Sequence, residues 1–232
     1  QPDGKVLVVA CDNMQSDVPA GALAAAAPGV YRLNADGTLD ASFNVAVLDG
    51  GGYVFAPPAL DAQGRIYLAG GTTSTDFSTA GAGSASFPRA NAGARDAFVM
   101  RVNATGTASM FVARFGGADN DRATSLVVEP DGNVLVAGKW LDKGGIWHGP
   151  RGGFQTSIAR QWGWSNTCEA TVPTEAAFLL RVAPNGSQVG GTSLIGAVGG
   201  DLAGWMNHDG VMPVRIALDG TGHVLVSGTT DS

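Results

Sequence analysis

Three histidines and a few clustered aspartates are the residues in this sequence that could bind a metal ion or transfer a proton. Two of the histidines lie in long irregular segments, whereas His223 follows a turn, where we expect an exposed side chain. Asp76, Asp119 and Asp121 carry the carboxylate oxygens that Ca²⁺ prefers. Neither an H-E-x-x-H pair nor the EF-hand spacing is present, and such loops commonly form turns. We therefore expect no catalytic residues, no metal site and no cofactor, with calcium in the aspartate-rich loops as the alternative.

Cys11 and Cys168 are the two cysteines of the chain, and they could form one disulfide bond. A single disulfide is the simplest arrangement for two cysteines in an exported protein. The bond also requires Cα atoms about 4.4–6.8 Å apart, which the sequence does not reveal. The alternative is one buried thiol and one loop thiol, so the disulfide is a hypothesis.

The segment 139–175 holds most of the tryptophans of the chain, together with several basic residues. Trp and Arg are enriched at the centres of protein interfaces, because they bury a large area and keep a polar group available. We interpret this segment as a partner-binding insertion. Its candidate contact residues are Trp140, Trp147, Arg151, Arg160, Trp162 and Trp164. A loop that packs these tryptophans into its own small core, and a platform for a glycan or small ligand, are the alternatives.

Internal repeats supply the elements that must position these residues. A turn with aspartate and glycine, followed by an apolar run, occurs four times, at 3–8, 61–68, 131–136 and 219–226. A second element, an apolar run that ends in a polar turn with glycine, occurs at 30–37, 98–106 and 178–186. Glycine suits such turns because it adopts positive φ without steric cost.

The spacing between the two elements separates a constant part of the repeat from a variable part. The chain from the first element to the second lengthens in each successive copy, whereas the return to the next first element changes less. Insertions confined to one connection are typical of loops on one face of a repeat protein. The apolar runs are continuous, as in strands buried on both faces. Repeats of four such strands predict an all-β fold, a β-propeller of four-stranded antiparallel blades.

The repeat also predicts strand positions and the organisation of the chain. We place the strands of the second repeat at 54–60, 65–69, 97–103 and 109–115, and those of the third at 124–129, 133–138, 177–182 and 191–195. The repeat units are roughly 1–52, 53–120, 121–210 and a partial unit 211–232 within one domain. Since propellers close with about four to eight blades, we expect a partial propeller of about three to four blades, with further blades outside these residues.

Composition narrows the possible functions. Of the 232 residues, 35 are glycine, 44% are hydrophobic and 15% are charged, and the net charge is −6. A disordered chain has the opposite balance of apolar and charged residues. Nucleic-acid-binding proteins cluster basic residues, and no apolar stretch approaches the roughly 18 residues of a membrane span. We therefore expect neither a nucleic-acid partner nor a direct membrane span.

Several segments resemble known propeller repeats. Residues 1–8 (QPDGKVLV) and 32–43 (RLNADGTLDASF) are similar to the delta-60 type of bacterial propeller repeat. Residues 70–77, 96–106 and 115–117 resemble the related SBBP β-propeller repeat. The first copy departs from the pattern, with Ala10-Cys11 where Ala-Gly is usual, and the insertion 139–175 has no counterpart in it. Because both families occur in large bacterial proteins outside the cytoplasm, the resemblance implies a secreted, periplasmic or cell-surface location.

Together these features predict a non-enzymatic structural or interaction module. We expect a scaffold or subunit of a larger extracellular or membrane-associated assembly, in which other protein subunits contact the loop insertions. The alternatives are a propeller hydrolase or lyase that acts on an extracellular polymer, and a lectin-like propeller that binds a glycan or another ligand.

Overall fold

The computed structural model describes residues 1–10, 29–43, 45, 53–74, 83–86, 95–116, 120–142, 174–197 and 215–228. Every regular element within these ranges is a β-strand, so the all-β prediction is confirmed. Over the same ranges, nothing helical has the length and apolar character needed to cross a bilayer.

The strands of the described ranges form four sheets that follow one another along the chain, and we call them blades I to IV. The strands are β1 (Val6–Ala10), β2 (Gly29–Leu33), β3 (Tyr53–Phe55), β4 (Ala59–Leu60), β5 (Ile66–Thr72), β6 (Gly83–Ser86), β7 (Asp96–Val102), β8 (Ser109–Phe115), β9 (Arg122–Val128), β10 (Val134–Asp142), β11 (Thr174–Val182), β12 (Gln188–Ala197), β13 (Arg215–Leu218) and β14 (Val224–Ser227). Blade I pairs β1 with β2, and blade IV pairs β13 with β14. Blade II has the order β3-β5-β7-β8-β6, with β4 also on β5, and blade III has the antiparallel order β9-β10-β11-β12.

Blades II and III contain the strands that the repeat predicts, with three local differences. The first strand of blade II is split into β3 and β4, because Pro57 and Pro58 between them cannot donate a ladder hydrogen bond. The repeat did not predict β6, which pairs in parallel with β8. In blade III, β10 and β11 continue into the segment 139–175 as far as Asp142 and Thr174, because their backbones keep pairing there.

The two ends of the blades differ in the connections that they carry. Short turns close the first and second strands, and likewise the third and fourth strands, and each contains a glycine with positive φ: Gly4, Gly37, Gly64, Gly106, Gly132, Gly186 and Gly222. Because neighbouring strands are antiparallel, these turns lie at the same end of each sheet, and we call that end the turn face. The connections from second to third strands leave from the opposite end, which we call the loop face.

Among the described residues, the core forms three apolar layers, one between each pair of successive blades. On β5, Ile66 and Leu68 pack in the layer with blade I, whereas Tyr67 and Ala69 pack in the layer with blade III. The second and third strands of blades II and III therefore bury alternate side chains against the two neighbouring blades. Sheets that are buried on both faces in this way stack side by side, as in a propeller, and the predicted fold class is confirmed.

Candidate functional site

The loop face carries all of the long connections between second and third strands. In blades I, II and III these connections span 11–28, 73–95 and 143–173. The corresponding ends on the turn face are tight turns, in which the glycine N–H donates to the carbonyl three residues earlier, as from Gly37 to Asn34 at 2.9 Å. The loop face is therefore the part of the molecule in which the repeats differ most, and it is the candidate functional surface.

A β-ladder supports the tryptophan-rich insertion. Strands β10 and β11 pair from Val134 opposite Val182 to Asp142 opposite Thr174. Strand β9 begins at Arg122, opposite Lys139 of β10. The last three pairs of the β10–β11 ladder therefore extend beyond β9 toward the loop face. We call these three pairs, 140–142 with 174–176, the stem. The stem fixes the place and direction at which the insertion leaves blade III.

Close packing at the base holds the stem in place. Phe178 of β11 contacts Phe115 of blade II edge to face, with ring centroids 5.3 Å apart. At Gly138 a Cβ would collide with the Arg122 carbonyl oxygen and lie 2.7 Å from the Phe178 ring. The absence of a side chain at Gly138 therefore lets β9, β10 and the aromatic pair approach each other closely. The stem rests on a base that has little room to move.

Two aspartates are buried at the loop-face border between blades II and III. Asp96 begins β7, and Asp121 precedes β9 and donates its N–H to the Arg95 carbonyl at 2.8 Å. A Cβ at Gly116 would contact carboxylate oxygens of both aspartates. Arg114 Nε lies 3.9 Å from Asp96 Oδ2, so the local charge includes a guanidinium. This arrangement links the end of one blade to the start of the next.

Of the three aspartates proposed for calcium, the structure describes Asp121. Asp121 is buried at the blade border, whereas Asp76 and Asp119 lie outside the described residues. In the described part of the chain, no three His, Cys, Asp or Glu side chains form a group that could hold a metal ion. His223 is 78% exposed, as expected, and its Nδ1 lies 3.0 Å from Asp219 Oδ2. The side-chain hydrogen bond from Thr221, followed by the hydrogen bond from the His223 backbone N–H, lowers the pKa of Asp219 to about 2.

The predicted contact residues are mostly beyond the described ranges. Trp140 lies on β10 within the stem, opposite Ala176. The other members of the set, Trp147, Arg151, Arg160, Trp162 and Trp164, lie outside the described residues, as do Cys11 and Cys168. The partner-binding and disulfide hypotheses therefore stay predictions.

Sequence reasoning missed a repeated arginine in the third strand, although its recurrence as Arg32, Arg101 and Arg181 was visible in the aligned repeats. Arg32 is buried, and its Nε donates to Asp40 Oδ2 at 2.8 Å. Lys5 contacts the same carboxylate oxygen at 2.8 Å. The hydrogen bond from Lys5, followed by those from Ser42 and Arg32, lowers the pKa of Asp40 well below its usual range.

The arginine in blade III has a different environment. Arg181 is 42% exposed and forms a two-pronged ion pair with Glu129, with both N···O distances at 2.5 Å. The hydrogen bonds that Arg181 donates to the Glu129 carboxylate raise the pKa of Arg181. In blades I and III the arginine therefore pairs with a carboxylate near the turn face rather than at the loop face.

Comparison with known proteins bears on the fold. Residues 25–43 match a family model described as a domain of unknown function (DUF5122) beta-propeller. The match includes β2 and continues through the Gly37 turn to Phe43. A search among curated proteins finds no match. The chain is thus a β-propeller repeat protein.

Proposed function

We propose that this chain is a non-enzymatic scaffold and interaction module, a subunit of a larger extracellular or membrane-associated assembly. The blades supply the rigid part, and the loop insertions supply the contact surface. A secreted, periplasmic or cell-surface location in bacteria, and membership of the delta-60 and SBBP repeat families, belong to the same proposal. They rest on the resemblance of the repeats.

The single observation that supports this proposal is the difference between the two ends of the blades. The turn face repeats one short turn with a positive-φ glycine, whereas the loop face takes up the variation in length among the repeats. A rigid framework that carries variable loops at one end is the usual arrangement of binding proteins. Variation in length costs little stability there, because loop-closure entropy grows slowly with loop length.

The stem adds a mechanical argument. Residues 143–173, the central part of the insertion 139–175, begin and end on paired strands that extend beyond β9. A loop held at both ends by a ladder loses less entropy when it binds than a loop with untethered ends, since part of its order is already fixed. The insertion also contains Trp147, Arg151 and Trp162, which are residue types that dominate binding energy at interfaces.

The test compares assembly and folding in the same variants. We expect the double variant Trp147→Ala/Trp162→Ala to lose its partner subunits, measured as the native mass of the complex purified from its own cells after cross-linking. Far-UV circular dichroism and the thermal midpoint of the isolated chain should be unchanged. Met110→Ala is the matched control, because Met110 is an exposed apolar residue on β8, in blade II rather than in blade III, which carries the insertion.

A second variant separates the insertion from individual side chains. Residues 144–172 are replaced by a short glycine-containing turn that keeps the stem paired. Loss of the complex in both variants, with folding intact, supports the proposal. A complex of unchanged mass in both would show that the insertion is not the contact surface, and the proposal would then be wrong.

A further inference from the structure

Asn185 and Gly186 form the only Asn-Gly pair in the 232 residues. Asparagine is a labile residue, and it deamidates fastest when glycine follows it, because glycine has no side chain to obstruct its own backbone nitrogen. In this reaction the Gly186 nitrogen loses its proton and bonds to Asn185 Cγ, the Cγ–Nδ2 bond breaks, and ammonia leaves. Water then opens the resulting succinimide ring at either of its two carbonyl groups, which gives aspartate or isoaspartate.

The turn between β11 and β12 holds both reacting groups in hydrogen bonds. Asn185 is exposed, whereas Gly186 is buried and donates its N–H to the Ala183 carbonyl at 2.9 Å. Ser187 donates its backbone N–H and its hydroxyl to Asn185 Oδ1, at 3.0 and 2.7 Å. Closing the succinimide ring requires the Asn185 side chain and the following peptide unit to rotate toward each other. The hydrogen bonds of the closed turn therefore oppose the reaction.

Blade II restricts the opening of this turn. A Cβ at Gly186 would lie 3.1 Å from three atoms of Phe111, so the glycine backbone is in direct contact with that side chain. Phe111 is fully buried on β8, and the Arg101 guanidinium lies 5.4 Å from the centre of its ring. A side chain held in this way leaves little space for the peptide unit to rotate. The turn therefore opens when it moves away from blade II.

The aspartate product fits the same turn. Asp36 has the position of Asn185 in the equivalent turn of blade I, and its Oδ1 accepts hydrogen bonds from the Thr38 N–H and hydroxyl at 3.0 and 2.6 Å. The side-chain hydrogen bond from Thr38, followed by the backbone one, lowers the pKa of Asp36. Isoaspartate would instead add a CH₂ group to the main chain before Gly186 and displace that glycine. The turn thus accepts aspartate and not isoaspartate.

We propose that Asn185–Gly186 is a spontaneous deamidation site, and that the contact between Phe111 and Gly186 controls how fast it reacts. The reaction consumes one water molecule, releases one ammonia molecule and needs no enzyme or cofactor. It goes beyond the proposed function, since the site lies at the opposite end of the blades from the insertion and does not depend on any partner.

The rate of this modification reports on the interface between blades II and III. Deamidation is far slower than the opening and closing of a turn, so its rate follows the equilibrium population of the open form. The rate in the folded chain is then the rate in a free peptide multiplied by the fraction of molecules in which the turn is open. Each modified molecule therefore records a separation of the two blades at the turn face.

The first experiment compares the intact chain with a synthetic peptide of residues 181–190. Both are incubated at the same temperature and neutral pH, and tandem mass spectrometry quantifies aspartate and isoaspartate at position 185. We expect deamidation in the chain to be at least about tenfold slower than in the peptide, because a packed turn is open only a small fraction of the time. Equal rates in the chain and the peptide would overturn the proposal.

Two matched substitutions identify the contact. Phe111 and Phe98 are both fully buried in blade II, but Phe111 packs toward blade III and Phe98 toward blade I. Phe111→Leu should accelerate deamidation of Asn185 roughly 5–30-fold, the change in open fraction that a large-to-small core substitution produces. Phe98→Leu should change the rate by less than about twofold, because it leaves the contact with Gly186 in place. Urea unfolding establishes the overall stability of both variants.

Two results with these variants would overturn the proposal. Equal acceleration by Phe111→Leu and Phe98→Leu would mean that global unfolding controls the reaction, and no acceleration by Phe111→Leu would mean that the turn opens without leaving blade II. Phe111→Met, which conserves more of the side-chain volume, replaces Phe111→Leu if that variant does not fold. Asn185→Asp should unfold at the same urea midpoint as the unmodified chain, and a lower midpoint would contradict the fit of the aspartate product.

Discussion

Replacing Gly106 with alanine tests whether packing between blades is as close as the structure indicates. Gly106 has a φ of +77°, and Gly37 closes the equivalent turn of blade I with a φ of +84°. Alanine at either position takes a left-handed conformation that costs roughly 1–2 kcal/mol. Only at Gly106 would the new Cβ also meet the Phe43 ring, at 2.6 Å. Gly37→Ala is thus a matched control that has the backbone cost without the collision.

The expected magnitudes follow from these two contributions. Gly37→Ala should lower the free energy of unfolding by roughly 1–2 kcal/mol. Gly106→Ala should lower it by roughly 1–3 kcal/mol more, the usual cost of forcing extra atoms into a packed core. Urea unfolding, followed by tryptophan fluorescence and circular dichroism and analysed by linear extrapolation, measures both free energies when the two probes give coincident transitions.

A double-mutant cycle identifies the contact responsible. Phe43→Leu removes the ring atoms that the alanine methyl group would meet, so combining it with Gly106→Ala should restore part of the lost stability. Equal losses for Gly106→Ala and Gly37→Ala, together with additive behaviour in the cycle, would refute the reasoning. That result would mean that blades I and II separate without cost at the turn face.

Three further predictions concern single contacts. Gly138→Ala should lower the free energy of unfolding by about 1–3 kcal/mol or more, because the alanine Cβ would collide with the β9 backbone. An unchanged free energy in urea unfolding would show that β9 and β10 can separate. Asp40→Asn should destabilise the protein near pH 6, and the loss of stability should become smaller as the pH falls below about 4. The reason is that the Asp40 carboxyl, whose pKa is lowered in the folded state, loses its stabilising contribution when it is protonated. A difference in urea midpoint that does not change with pH would contradict this. Arg181→Gln should lower the free energy of unfolding by no more than about 1 kcal/mol, because the Arg181 side chain is 42% exposed. Arg32→Gln should lower it further, because Arg32 and Asp40 are buried. The reverse order in urea unfolding would be incompatible with the structure.

The sequence alone determined where the repeated strands and the turns between them lie, although not β6 or the extension of β10 and β11. The recurrence of aspartate and glycine before apolar runs located the second strands, and the glycines at the ends of the third strands located the remaining turns. This information is local, because a positive φ and an alternation of buried side chains depend on a few neighbouring residues. Even the split of the first strand of blade II was present in the sequence, as Pro57 and Pro58.

The functional assignments depended less on local signals. The tryptophan-rich segment was visible as a departure from the repeat, and the structure added its stem, which depends on how far β10 and β11 keep pairing. Asp121 carried a possible calcium role in the sequence, and the structure shows it buried beside Asp96, which lies in another blade. The sequence did not pair these two aspartates, because no spacing rule joins residues on different sheets.

Only the tertiary structure decided what each blade contributes to the next. The recurring arginine and phenylalanine could be read along the chain, but their contact with a glycine turn in the following blade requires two sheets at a fixed distance and angle. The same fact explains why Gly106 and Gly37, identical in local sequence role and backbone conformation, differ in burial. Turn geometry is set within a few residues, whereas burial is set by whichever sheet packs against the turn.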